Sequence, residues 1–130
     1  MRFLDAAWFE EHKKMALTEF CEKNRNNVEL VEVYENCYGE DKTIWIHYKL
    51  VEGIPEIIER GEGEDDIPEA QFRVFGDYQH YVDVCEGRLD PNKGIITGKF
   101  TLEGNLMKAM GMLGTYAKVT AAKKIPGMGF

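Results

Sequence analysis

A chain of 130 residues, 44% hydrophobic and 30% charged, has the balance of one folded domain, neither disordered nor membrane-embedded. Its net charge of −7 argues against nucleic acid and anionic membrane surfaces as partners, and no apolar run approaches the ~20 residues that cross a bilayer. Cys21, Cys37 and Cys85 are widely spaced and odd in number, which points to free thiols in the cytoplasm, and the absence of any serine removes serine-hydrolase chemistry.

In chain order, Phe3 to Asn24 reads as an amphipathic helix, with Leu4, Trp8, Phe9, His12, Met15, Ala16 and Phe20 on one face. The period then changes to two. Val28 to Glu35 predicts a strand, and Asp41 to Glu52 a second, with Ile44, Ile46, Tyr48 and Leu50 on one side and Trp45 and His47 on the other. The turn chemistry between them makes a hairpin. Ile54 to Arg60 is a third strand whose Pro55 suits an edge, and 61–66 an acidic loop. Glu69 to Gly76 is a fourth strand. Asp77 caps a short helix carrying Tyr78, Tyr81, Val82 and Cys85 on one stripe, and Asp90-Pro91 opens another. Lys99 to Gly104 is a fifth strand, and Asn105 caps a long helix to about Lys124. The order predicts an α+β domain over residues 1–130, with an antiparallel-rich sheet and helices on one face.

Catalytic and metal chemistry finds little support. His12, His47 and His80 lack the pairwise spacing of zinc ligands, and Glu62, Glu64, Asp65 and Asp66 lack the calcium-loop pattern. His80 and Asp83 lie three apart on one helix and read as a solvated pair. Cys85 falls on a core stripe, where burial makes a thiol inert. No glycine pattern cradles a phosphate. No cofactor and no metal are expected.

The segment Gly87-Arg88-Leu89-Asp90-Pro91, followed by Gly98-Lys99-Phe100-Thr101-Leu102-Glu103-Gly104-Asn105, resembles the signature of the sterol carrier protein-2 family. The opening Phe3-Leu4 to Trp8 is similar to the first helix of its bacterial and archaeal members. The chain departs from eukaryotic members in lacking their peroxisomal signal, and its last helix carries Gly111 and Gly114. The resemblance implies a five-stranded, mostly antiparallel sheet ordered 3-2-1-4-5, with helices on one face. It also implies a non-enzymatic role in binding fatty acyl chains, acyl-CoA or sterol-like lipids in an apolar tunnel.

The lining expected of that tunnel is Ile46 and Tyr48, Phe72 and Val74, and Phe100 and Leu102 from three strands. Tyr81, Val82 and Ile95 close one side, and Met107, Met110 and Leu113 another, with tyrosine hydroxyls as partners for a polar head group. The partner is thus a hydrophobic small molecule or lipid, without stable membrane insertion. The alternatives are a small enzyme of the ketosteroid-isomerase or cyclase type, and a ligand-sensing or subunit-docking module. Trp45 with Val31 and Val33 on the uncovered face suggests a weak homodimer, and the apolar tail Ile125, Met128 and Phe130 is expected to dock.

Overall fold

The computed structural model describes residues 1–20, 27–52, 54–111 and 119–130, with side chains throughout except at 17–20, 106, 110 and 111. Its elements are α1 (Ala6–Phe20), β1 (Val28–Glu35), β2 (Ile44–Val51), β3 (Ile54–Glu62), β4 (Phe72–Asp77), α2 (Tyr78–Cys85), α3 (Pro91–Ile96), β5 (Phe100–Glu103) and α4 (Leu106–Gly111). The strands form one sheet in the order β3-β2-β1-β4-β5. Within it β1 and β4 run parallel and the other neighbours antiparallel, so the sheet is mixed but mostly antiparallel. Pro55 lies on β3, an edge strand, opposite Leu50 beside an irregularity in the ladder, where a residue without an N–H is tolerated.

The helix starts follow their caps. Asp77 accepts from the Gln79 amide at 3.0 Å, Asp90 from the Asn92 amide at 2.8 Å, and Asn105 from the Met107 amide at 3.0 Å. The first helix begins later than periodicity predicts. Phe3 and Leu4 turn instead, with Leu4 in the left-handed region at φ 70°. That strained turn is pinned by Arg60 Nε donating to the Leu4 carbonyl at 2.7 Å and by Tyr38 OH donating to the Phe3 carbonyl at 2.6 Å. Asp5 then caps α1 by accepting from the Trp8 amide at 2.7 Å.

Two glycines make room for Phe100. A Cβ on Gly76 in β4 or on Gly94 in α3 would run into opposite edges of its ring, so the ring is clamped between strand and helix. Gly76→Ala is therefore expected to lower stability by about 1–3 kcal/mol in a urea titration, since the ring has no side to retreat to. A change under about 0.5 kcal/mol would mean that the clamp yields. Gly104 is needed for another reason: it sits at φ 132°, and a Cβ there would lie 2.7 Å from the Gln71 carbonyl oxygen.

The helices gather on the face presented by Ile44, Ile46, Tyr48 and Leu50, as the alternation in β2 predicts. On the opposite face Val33 pairs with Trp45 and Phe75, and Val31 with His47 and Arg73. The expected exposed patch is corrected here. Val31 and Val33 are buried within one chain, and the half-buried Trp45 ring lies over Gly61, where any Cβ would strike it.

Candidate ligand site

Strand register dictates what the helix-covered face of the sheet offers. One row of side chains runs Ile58, Tyr48, Leu30, Phe72. The next runs Arg60, Ile46, Glu32, Val74, Leu102, and a third Glu62, Ile44, Tyr34, Gly76, Phe100. Apart from Glu32 and the edge residues Arg60 and Glu62, these are apolar or aromatic positions or glycine, and most are buried.

Of the residues expected to line a tunnel, Ile46, Tyr48, Phe72, Val74, Tyr81, Val82 and Phe100 join one apolar cluster with Trp8, Phe9 and Ala16 of α1. Ile95 and Leu102 pack against its border. Met107 does not belong to it. With Ala109 buried, a residue two positions earlier lies about 200° around the helix, and Met107 is 83% exposed. The Met110 side chain and Leu113 lie outside the described residues, as do the surroundings of Gly111 and Gly114.

At the middle of this apolar face sits a polar centre that periodicity alone only half reveals. Glu32, on the central strand, is 0% exposed, and its Oε2 accepts from Lys123 Nζ at 2.6 Å, with Lys123 1% exposed. The ammonium also lies 5.5 Å from the centre of the Tyr81 ring. Beside the pair, His12 Nδ1 donates to the Ala122 carbonyl at 2.8 Å. That bond fixes the tautomer, so Nε2 accepts from Tyr48 OH at 2.8 Å. The imidazole stacks on Trp8 at 4.7 Å, and Trp8 Nε1 donates to the Lys123 carbonyl at 2.9 Å. Two α1 side chains thus hold the backbone that delivers Lys123 to the sheet.

Burial pushes the His12 pKa down to about 4, and the nearby Lys123 charge acts in the same direction. His12 is therefore a neutral structural group at physiological pH. Burial likewise raises the Cys85 thiol to about 11, leaving it a poor nucleophile. The expectation for tyrosine hydroxyls needs correction. Tyr48 OH donates to His12 and Tyr81 OH to the Val74 carbonyl at 3.2 Å, so both protons are used inside the chain. Among the described residues, the charged atom on this face that is buried without a hydrogen-bond partner is instead Glu32 Oε1. Strand alternation was the signal for it: Leu30, Glu32 and Tyr34 share one face.

The other residues weighed for chemistry are engaged elsewhere. His80 Nδ1 donates to the Lys99 carbonyl at 3.1 Å, while Asp83 accepts from Arg88 at 2.9 Å, which holds its carboxyl below the usual range. Glu62 of the acidic stretch pairs with Arg60 at 2.8 Å and Lys42 at 3.4 Å.

The tail is docked. Gly129 bridges Arg2 in parallel, the Phe3 amide donates to the Gly129 carbonyl at 2.8 Å, and the Phe130 ring lies 5.8 Å from that of Phe3. A groove of about 590 Å³ opens between Glu86, Ala121, Lys124 and Ile125 to Met128, with Phe130 at its rim. Among the described residues no helix is long and apolar enough to cross a membrane.

The SCP-2 sterol transfer family matches residues 36–115. A search of curated protein sequences returned no match. Solved structures share the fold. A crystal structure of sterol carrier protein 2 superposes with a TM-score of 0.70 at 18% identity, covering 95% of this chain and 98% of the other. A conserved hypothetical protein of Thermus thermophilus, described as possibly a sterol carrier protein, gives 0.69 at 17% identity, covering 95% and 89%. Palmitated SCP2L2 of Aedes aegypti gives 0.55 at 7% identity, covering 85% and 92%. Binding and transfer of hydrophobic ligands is the function the family carries. A match over more than half of the sequence, on a fold common to these structures, makes this chain a member of the SCP-2 sterol transfer family.

Proposed function

We propose that residues 1–130 form one cytoplasmic, non-catalytic lipid-binding domain that takes an apolar chain or ring system between the inner face of the sheet and its helices. The observation that carries this reading is the apolar layer of Ile46, Tyr48, Phe72, Val74, Tyr81 and Phe100, which is covered by helices and framed by the family's signature. Binding would come from removing ligand surface from water at about 25 cal/mol per Å², which favours length and shape over fine chemistry. The palmitate carried by the Aedes aegypti relative is a ligand of this kind. Fatty acyl chains, acyl-CoA and sterol-like lipids are the ligands to try.

Support for a role without catalysis comes from His12. Both of its ring nitrogens are bonded within the chain and it is held neutral, so it is poorly placed to move a substrate proton. The proposal does not extend to a homodimer through the uncovered sheet face, because Val31 and Val33, its expected apolar centre, are already buried in one chain.

Native mass spectrometry of the purified protein tests the reading. One co-purified lipid per chain is expected, together with displacement of a fluorescent fatty acid at roughly micromolar concentrations, near −8 kcal/mol. A bare chain that fails to bind fatty acid, acyl-CoA or sterol probes would overturn it.

A further inference from the structure

Glu32 Oε1 is an anionic oxygen, shut away from water, with no hydrogen-bond partner among the described residues. Such an atom calls for a partner that the polypeptide does not supply, a buried water or a ligand group that takes its place, because leaving a buried acceptor unmade is costly. Its position says which surface that partner touches. Glu32 stands in the row between Ile46 and Val74, two residues of the proposed lining, on the central strand of the sheet. A ligand lying on those two side chains passes over Glu32.

From this we infer that the polar end of the ligand is a neutral hydroxyl, donated to Glu32 Oε1, with Lys123 holding the carboxylate in place through the other oxygen. The inference rests on the lipid-binding reading above and narrows the contact at Glu32 to an uncharged hydroxyl, as a long-chain alcohol carries. The open valence is an acceptor, so a donor fits it. A fatty-acid carboxylate would meet Glu32 as a second buried anion, next to a Lys123 already engaged at 2.6 Å. An ammonium would add a second cation beside Lys123. A hydroxyl adds no charge and completes the carboxylate, and a hydrogen bond to a charged group is among the stronger ones.

The test compares a long-chain primary alcohol, the fatty acid of equal length and the corresponding alkane, each displacing the same fluorescent probe from the full chain. The wild type is expected to bind the alcohol at least about tenfold more tightly than the acid or the alkane. Glu32→Gln removes the anion that repels a carboxylate and should bring the acid at least level with the alcohol. Should Glu32→Gln fail to fold, the double variant Glu32→Leu/Lys123→Met, which leaves no orphaned charge, should bind alcohol and alkane equally. Equal wild-type binding of alcohol, acid and alkane overturns the head-group assignment while leaving the carrier reading intact. So does a preference for the alcohol that survives in the double variant. Failure of all three probes overturns both.

Discussion

Replacing Lys123 with methionine is expected to destabilise the chain by about 3–5 kcal/mol, enough to remove much of the stability of an ordinary domain. The cause is Glu32, which would keep a buried charge at 0% exposure with its ammonium gone. The pair itself is not expected to be a net stabiliser, because both ions are stripped of water. The double variant Glu32→Leu/Lys123→Met should therefore recover to within about 1 kcal/mol of the wild type, or exceed it. An exposed pair of similar length, Lys14 with Glu11 at 3.0 Å, gives the contrast: Lys14→Met should cost under about 1 kcal/mol. Urea titrations of the variants measure all of this. A loss below about 1 kcal/mol in Lys123→Met would mean that water reaches Glu32.

Acid should weaken the fold through His12. Its pKa is about 4 in the folded chain against an ordinary value of 6.5, so the unfolded chain takes up a proton first as pH falls. The stability contributed by the neutral ring is complete above about pH 6.5 and is lost progressively down to about pH 4, a total of about 3 kcal/mol. His12→Gln keeps a donor for the Ala122 carbonyl and an acceptor for Tyr48, but does not titrate. Its stability should thus fall less steeply than that of the wild type across this window. Carboxylates common to both proteins cancel in the difference. Parallel curves would show that His12 is not the group responsible.

Much of the architecture was legible because each signal was local. The period-two run from Ile44 to Leu50 and the caps Asp77, Asp90 and Asn105 mark their elements without tertiary context, and Pro55 marks an edge. Strand order was different: no propensity pairs β1 with β4 in parallel, and it came from the resemblance carried by Gly87 to Asn105. The departures have non-local causes. Phe3 and Leu4 leave the helical pattern because Arg60 and Tyr38, distant in sequence, hold their carbonyls. Val31 and Val33 looked exposed on an uncovered face, but, with Trp45, His47, Arg73 and Phe75 beside them on the neighbouring strands, they are buried. Met107, expected in the lining, lies off the helix face that Ala109 buries and is exposed.

The polar centre was the least legible part. His12 reads as an inward residue from its period, yet nothing near Lys123 in sequence foretells its meeting with Glu32, 91 residues away. Charged residues are expected at the surface, and this pair is buried only because α1 fixes the backbone at Ala122 and Lys123 through His12 and Trp8.

The central claim is that ligand binds on the helix-covered face of the sheet, and NMR chemical-shift mapping during titration with a long-chain lipid tests it most directly. The expected result is saturable perturbation of Ile46, Tyr48, Phe72, Val74 and Phe100, with Val33, Trp45 and Phe75 on the opposite face unchanged. Perturbations confined to that opposite face or to the groove beside Ile125 and Met128, or none at saturating lipid, would contradict it.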